Sequence, residues 1–262
     1  MTSPPDYYGW IFQFSRTDIG GATVLYPMTL TAGGSFFNRH GDVAFDSEPV
    51  RAATDFLVEI TRKAGGPGVF NYNINENFNL VNSGKTSMTM DAAAIVAVAA
   101  REAPAVADQL DAVAIPHRNQ VASLLQGGSL MVVKGKNKNP ADARNFAKYL
   151  LQPANHVEFL HTIPLFMFPT TVGASGPEFY EHPTIQRFKN VAEVSIEALK
   201  VATLFGSDDG INPFASPVLN ARIVEDMFAR IVLNNTPVPE AVKLAHDQMA
   251  DLTGALKRRL RL

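Results

Sequence analysis

The chain has 262 residues, of which 46% are hydrophobic and 18% are charged, and its formal net charge is −2. The 23 basic residues are balanced by 25 acidic ones, which argues against a general binder of polyanions. The absence of cysteine excludes disulfides, cysteine-based zinc modules and a thiol nucleophile. The longest purely apolar run, residues 92–100, is far shorter than the roughly 20 residues of a membrane span. Residues 1–6 lack the basic start and the apolar core of a signal peptide.

Short apolar runs alternate with amphipathic stretches along the chain, which predicts an α/β fold. We predict strands at residues 10–14, 87–90, 111–115 and 130–133. We predict helices at residues 23–32, 46–64 and 187–201, and further helices that begin at 139, 216 and 239. We predict loops at residues 67–79, 164–182 and 206–216, and the last of these contains the turn formers Asp208, Asp209, Gly210, Asn212 and Pro213.

None of the short motifs of catalysis or metal binding is complete. Gly84, Lys85 and Thr86 resemble the end of a phosphate-binding loop, but that motif needs a glycine where Asn79 stands. The six histidines lack the spacing of a helical zinc site, and no serine lies in a nucleophile elbow. We therefore predict no metal site and no cofactor.

Hypotheses from different classes stay open at this point. The composition suits a pocket for a neutral polar ligand. A stand-alone α/β enzyme, either a hydrolase or a transferase, would need two titratable groups to converge, and Glu76, Asp91 and His117 are its nominees. An interaction module without transport or catalysis is the third hypothesis.

Several segments, in order, resemble the extracellular solute-binding proteins of carbohydrate ABC importers, the maltose-binding-protein-like family. These segments are AGGSFFNRHG at 32–41, VAFDSE at 43–48, SGKTSM at 83–88, DAVAIP at 111–116, GGSLMVV at 127–133, KNKNP at 136–140 and TPVPEA at 236–241. Each motif is weak by itself, and the order and spacing of the motifs carry the resemblance.

The resemblance implies a periplasmic-binding-protein-like α/β fold of type II, in which two helix-rich lobes surround short mixed sheets. It begins near Tyr7, in what would be the second lobe, so we expect a truncated family member that lacks most of its N-terminal lobe. Residues 7–110 and 184–262 would form the C-terminal lobe, and residues 111–183 the returning segment of the N-terminal lobe. We expect an exposed apolar strip around 111–183, with weak stability or self-association of the isolated chain.

The resemblance also implies a function. The chain would be the substrate-binding component of an ABC transporter, not an enzyme, and would capture a sugar or polyol in an interlobe cleft. Its partners would be the permease subunits, with no nucleic acid, and its location would be periplasmic or extracellular, membrane-associated in the full-length protein. Tyr26 would stack on the ligand, Asp91 would bind it, and Gly127 and Gly128 would let the backbone approach it. The further candidates are Trp10, Asn212 and Asn220.

Overall fold

The computed structural model describes residues 6–133 and 139–260, and it is an α/β structure in which helices predominate. The strands are β1 (Tyr8–Ile11), β2 (Thr86–Thr89), β3 (Ser123–Leu125) and β4 (Ala202–Leu204). The first helices are α1 (Gly20–Thr31), α2 (Glu48–Ile60), α3 (Ile74–Asn82), α4 (Ala94–Glu102), α5 (Pro104–Ala107), α6 (Pro140–Leu150) and α7 (Pro153–His161). The others are α8 (Pro177–Tyr180), α9 (Pro183–Arg187), α10 (Lys189–Lys200), α11 (Ala215–Asn220), α12 (Ile223–Leu233) and α13 (Val238–Leu260).

Three shorter helical pieces complete the fold. A π-helix at Thr61–Gly65 continues α2, and 3₁₀ turns lie at Pro67–Asn71 and Val172–Ala174. Two of the sequence observations, the one on residues 1–6 and the motif at 136–140, fall largely outside the described residues.

The chain divides into two compact units. Unit 1 comprises the described residues of Met1–Met90, Ala114–Gln126 and Ala198–Leu262, and unit 2 those of Asp91–Val113 and Gly127–Glu197. These boundaries differ from the predicted lobes at residues 91–110, 114–126 and 184–197. The assignment of the segments to two lobes stays a prediction.

Unit 1 contains two pairs of parallel strands. In the first pair β1 lies beside β2, with Trp10 opposite Met88, and in the second β3 lies beside β4. A parallel pair needs a long crossover connection, and helices α1, α2 and α3 all lie between β1 and β2. The carboxyl end of β1 therefore leads directly into helix α1 through a short loop.

Helix α1 lies at the centre of the unit 1 core. All but one of its 12 residues are buried, and none of them is charged, as expected for a helix that is surrounded by protein. Aromatic rings that follow β1 extend this core towards α12, where the ring of Phe14 stacks on that of Phe228 with centroids 4.5 Å apart. This packing fixes the path of the chain between β1 and α1.

Most of the predicted helix positions are confirmed, and three predictions are wrong in part. The predicted loop at 67–79 contains the start of α3, which is closed by a reciprocal capping box between Asn73 and Glu76. The helix predicted to begin at 216 is broken in two, because Arg222 adopts a left-handed backbone conformation with φ 60° between α11 and α12. The predicted loop at 164–182 includes the short helix α8.

Two predicted strands do not form. Residues 111–115 and 130–133 are apolar and β-prone, but they pair with no described strand, and Val113 and Met131 are 85% and 84% exposed. An extended apolar segment becomes a strand only when a neighbouring strand satisfies its backbone groups.

Unit 2 has a small core and a large exposed apolar surface. Its helices bury Leu160, Phe179 and Ile185, but helix α6 buries none of its residues. Large apolar side chains of unit 2 are more than half exposed at several positions, namely Val113, Leu130, Met131, Val133, Phe146, Tyr149 and Val172. Exposed apolar side chains are thus present between 111 and 183, and their union in one strip stays a prediction.

Candidate functional site

Tyr26 lies in the core of unit 1 and not on a surface. Its side chain has no exposed area, and its ring packs against Phe36 and Phe205, with centroids 5.1 Å and 4.8 Å away. Its hydroxyl donates a hydrogen bond to the carboxylate of Asp208. Burial, and then the adjacent carboxylate, raises the pKa of Tyr26 well above its usual value. The stacking contact that the resemblance implied is not available to a ring enclosed in this way.

Asn212 lines a small polar pocket in unit 1. The pocket has a volume of about 210 Å³ and lies between the turn at 38–41 and the loop at 206–214, with Asp208 also in its wall. The side-chain oxygen of Asn212 accepts the backbone N–H of Phe214 at 2.9 Å. Tyr26 is placed beneath this pocket through its bond to Asp208. Asn212 therefore lines this pocket, whereas Tyr26 contacts its wall only through Asp208.

Trp10 lines a different groove, with a volume of about 510 Å³. The groove lies between β1 and the end of α2, and its other walls include Phe56, Lys63 and Met88. The indole ring of Trp10 stacks on Phe12 with centroids 5.2 Å apart, so one face of the ring belongs to the core. Trp10 and Asn212 thus line separate depressions.

The other predicted residues are dispersed. Gly127 and Gly128 are exposed in unit 2 in a segment without regular structure, where no atom lies within 4 Å of the position that a Cβ of Gly128 would take. Asp91 follows β2 by two residues and is half-buried, and its carboxylate accepts the N–H of Ala92 at 2.7 Å. Asn220 is exposed at the end of α11 and donates to the backbone oxygen of Ser216. Ligand roles for these residues stay predictions.

The loop at residues 14–19, which we call the β1 loop, is a candidate site that the residues predicted from the sequence do not include. It follows the carboxyl end of β1, and in open α/β sheets ligands bind at the carboxyl ends of parallel strands. The loop is anchored to neighbouring backbone, because Phe14 N–H donates to the oxygen of Val69 and Ser15 N–H donates to that of Tyr72. The strand thus leads into a loop with a defined conformation.

Polar groups of the β1 loop bind one another. The hydroxyls of Ser15 and Thr17 are 2.8 Å apart, and the Ser15 hydroxyl also accepts the N–H of Thr17. The carboxylate of Asp18 accepts the N–H of Ile19 at 2.7 Å, next to the start of α1. Arg16 and Thr17 are exposed, whereas Ser15 is buried. The loop therefore presents charged and hydroxyl groups from a hydrogen-bonded base.

The N-terminus of α12 lies against the β1 loop. Arg16 forms a two-fold contact with Asp226, with Nε 2.6 Å from one carboxylate oxygen and Nη2 3.1 Å from the other. Beside it, the buried carboxyl of Glu225 accepts the N–H of Ala22 in the first turn of α1 at 2.9 Å. Burial is the main cause that raises the pKa of Glu225. Two helix N-termini, those of α1 and α12, thus meet at this point.

This arrangement can bind a polyhydroxyl compound. Guanidinium groups donate hydrogen bonds, carboxylates accept them, and a sugar hydroxyl can do both. The site offers donors at Arg16 and acceptors at Asp18 and Asp226. Arg222, the N-cap residue of α12, adds a positive charge that acts on Glu225. The first turns of two helices add backbone N–H groups. The sequence signal at the site is the polar run that follows a strand and precedes a Gly-Gly helix start, and such runs are too common in loops to locate a site by themselves.

The residues nominated for an enzyme have other roles or positions. The carboxylate of Glu76 accepts the N–H of Asn73 at 3.0 Å and so caps α3, and His117 is exposed. Across residues 6–133 and 139–260, no group of three or more His, Asp or Glu side chains could hold a metal ion. Within the same described ranges, no helix has both the length and the apolar character needed to cross a membrane.

Comparison with solved structures identifies the fold. An ABC transporter solute-binding protein from Thermotoga lettingae, bound with α-D-tagatose, is 16% identical with a TM-score of 0.74, and the alignment covers 94% of this chain and 60% of that one. Maltose-bound MalE3 from T. maritima is 15% identical with a TM-score of 0.73, over 94% and 61%. A solute-binding protein from Agrobacterium radiobacter in complex with ribitol is 14% identical with a TM-score of 0.74, over 96% and 61%. The fold is therefore that of the periplasmic binding proteins.

The chain spans about three fifths of the length of these structures. A search of curated proteins finds no match. The sequence pattern of the bacterial extracellular solute-binding proteins matches residues 2–157. The proteins that this chain is similar to are thus binding proteins and not enzymes. Because the match spans more than half of its residues, the chain belongs to the bacterial extracellular solute-binding protein family.

Proposed function

We propose that this chain is the substrate-binding component of an ABC importer, which captures a sugar or polyol and delivers it to the permease subunits. The family match across residues 2–157 is the observation that carries this proposal. The solutes bound to similar structures, which are tagatose, maltose and ribitol, support an uncharged polyhydroxyl ligand. In this role the chain works outside the cytoplasmic membrane, in the periplasm or at the cell surface, and needs no cofactor.

The binding surface that we propose is the β1 loop together with the N-terminus of α12. The pair formed by Arg16 and Asp226 is already oriented, so little side-chain freedom is lost when hydroxyls bind to it. Micromolar affinity needs only about 8 kcal/mol in total. Hydrogen bonds to charged groups contribute about 1.5–3 kcal/mol each, so a few such bonds reach that value.

The two-lobe arrangement belongs to this proposal. Residues 7–110 and 184–262 would form one lobe and residues 111–183 part of the other. Closure of two lobes on a solute excludes water, which strengthens each hydrogen bond to the ligand. Asp91, Gly127 and Gly128, which lie outside the β1 loop and α12, remain candidates for contacts with the solute.

The experiment is a binding panel with the full chain. We would measure thermal unfolding and heats of binding with D-tagatose, maltose, laminaribiose and ribitol. A ligand at 100 times its Kd should stabilise the chain by about 2.7 kcal/mol. Arg16→Ala should weaken binding at least about tenfold, because the remaining guanidinium donors and the orientation of Asp226 are lost. Arg144→Ala, an exposed arginine of α6, serves as the control and should leave the affinity unchanged.

Two results would contradict the proposal. The first is the absence of binding to any sugar or polyol in the panel. The second is an Arg16→Ala variant with the affinity of the original chain, which would remove the β1 loop from the site.

A further inference from the structure

Glu225 is a buried carboxyl that the proposed contacts with solute do not use. Its side chain has no exposed area, and it is the one Asp, Glu, Lys or Arg among the buried residues of the described ranges. A buried ionisable group is costly unless it is bound by other polar groups, so its retention calls for a reason. The reason must lie in what its oxygens contact.

The contact of Glu225 is with the start of another helix. Its Oε1 accepts the N–H of Ala22, in the first turn of α1, at 2.9 Å. The first N–H groups of a helix have no partner within the helix and are normally capped by a nearby side chain. The N-cap residue of α1 is Ile19, which has no such group, and the first turn of α1 contains no acidic residue. Glu225 therefore supplies from α12 the cap that α1 lacks.

Glycines make this contact possible. A Cβ on Gly21 would lie 3.1 Å from Oε1 and 3.3 Å from Cγ of Glu225. A Cβ on Gly20 would lie 2.1 Å from the backbone oxygen of Gln13, so the chain re-enters α1 directly against the residue that precedes the β1 loop. The two ends of the β1 loop therefore lie against each other, at Gln13 and Gly20. We call this place the junction, and Glu225 of α12 contacts it through Gly21 and Ala22.

We propose that Glu225 is a positioning residue, which caps α1 and thereby fixes the β1 loop in the conformation that binds solute. This inference rests on the proposed function for the identity of the ligand but not for the capping contact itself. The same junction brings Asp226, the next residue of α12, within reach of Arg16. One helix start thus sets both the backbone and the ion pair of the site.

The test compares two substitutions of similar size. Glu225→Leu fills the space but removes the acceptor, whereas Glu225→Gln keeps an oxygen that can accept the N–H of Ala22. Amide hydrogen exchange across residues 14–23 should rise at least about tenfold in Glu225→Leu and stay near that of the original chain in Glu225→Gln. Affinity for the sugars and polyols of the panel should fall in the Leu variant and be restored in the Gln variant.

The control is Thr29→Val, which removes a buried hydroxyl from the same helix two turns beyond the junction. It should leave exchange at 14–23 unchanged. Unchanged exchange in a folded Glu225→Leu variant would overturn the inference. Failure of the original chain to bind any sugar or polyol would instead count against the proposed function, and the exchange experiment would still decide the role of Glu225 as the cap of α1.

Discussion

At the scale of single residues, two buried polar side chains of unit 1 form hydrogen bonds that join helix α1 to distant segments of the chain. Tyr26 donates from the centre of α1 to Asp208, and Glu225 accepts from the start of the same helix. Each bond joins residues about two hundred positions apart in the chain, so neither could be inferred from local sequence. Removing either group should therefore affect a distant loop as well as the core.

Tyr26→Phe should cost about 1 kcal/mol in the free energy of unfolding, because the hydrogen bond to Asp208 is lost while the ring contacts remain. The measurement is urea unfolding at neutral pH. Tyr7→Phe is the control, since the hydroxyl of Tyr7 contacts Ser87 at an exposed position. We expect the control to change stability by less than about 0.5 kcal/mol. Equal effects of the two substitutions would contradict a special role for the buried hydroxyl.

Glu225→Gln should change how stability depends on pH. Burial raises the pKa of Glu225 in the folded chain above its unfolded value, which is near 4.5. Its contribution to stability is then fully present below the unfolded pKa and is lost as the pH rises through the folded pKa. The Gln variant cannot ionise, so its stability relative to the original chain should increase as the pH rises from acid to neutral. Parallel pH profiles of the two chains in urea unfolding would show that Glu225 does not titrate in this way.

At the scale of elements, local signals predicted helices better than strands. The proline and acid at the start of α2 and the asparagine before α6 act within one turn, and both helices begin there. The same kind of signal was present at α3, where Asn73 and Glu76 form the capping box, but neighbouring asparagines and glycines led to the prediction of a loop. The strands predicted at 111–115 and 130–133 failed because pairing depends on a partner that local sequence does not reveal.

The site was predictable only in part for the same reason. Asn212 lines a pocket, and Tyr26 contacts the wall of that pocket through Asp208. The β1 loop is a candidate site only because α12, which is about two hundred residues away in the chain, places Asp226 beside Arg16. Short runs such as the one at 15–18 are common in loops, so their residue types alone do not indicate a site. Nothing in the sequence indicates that Arg222, at the start of α12, adopts a left-handed backbone conformation.

Arg222→Gly should have opposite effects on stability and binding. Glycine adopts the left-handed conformation without steric cost, so we expect the free energy of unfolding to rise by about 1 kcal/mol. Affinity for the sugar or polyol should fall, because the positive charge that Arg222 adds at the N-terminus of α12 is lost. Asn235→Gly is the matched control, with φ 56° at the other end of α12, and should leave affinity unchanged. Affinity that is unchanged in the Arg222→Gly variant would remove this residue from the proposed site.

At the scale of the whole molecule, the two units differ in how their apolar residues are used. Unit 1 encloses most of its large apolar side chains around α1, whereas unit 2 leaves many of them in contact with water. Contiguous exposed apolar surface promotes association between proteins. Helix α6 is the clearest case, because it is amphipathic in sequence but buries none of its residues, and Phe146 and Tyr149 are 62% and 54% exposed. We therefore expect the isolated chain to self-associate through unit 2.

Phe146→Lys should weaken that self-association. Burying a phenylalanine contributes about 2 kcal/mol, so the apparent dissociation constant should rise more than about tenfold in analytical ultracentrifugation. The substitution should leave the free energy of unfolding almost unchanged, because α6 buries no residue. Ile211→Lys is the control, since Ile211 is 99% exposed but lies on a loop of unit 1. A chain that sediments as a monomer at all concentrations, or an equal effect of the two substitutions, would contradict association through unit 2. The first result would also show that exposed apolar area of this size does not by itself drive the chain to associate.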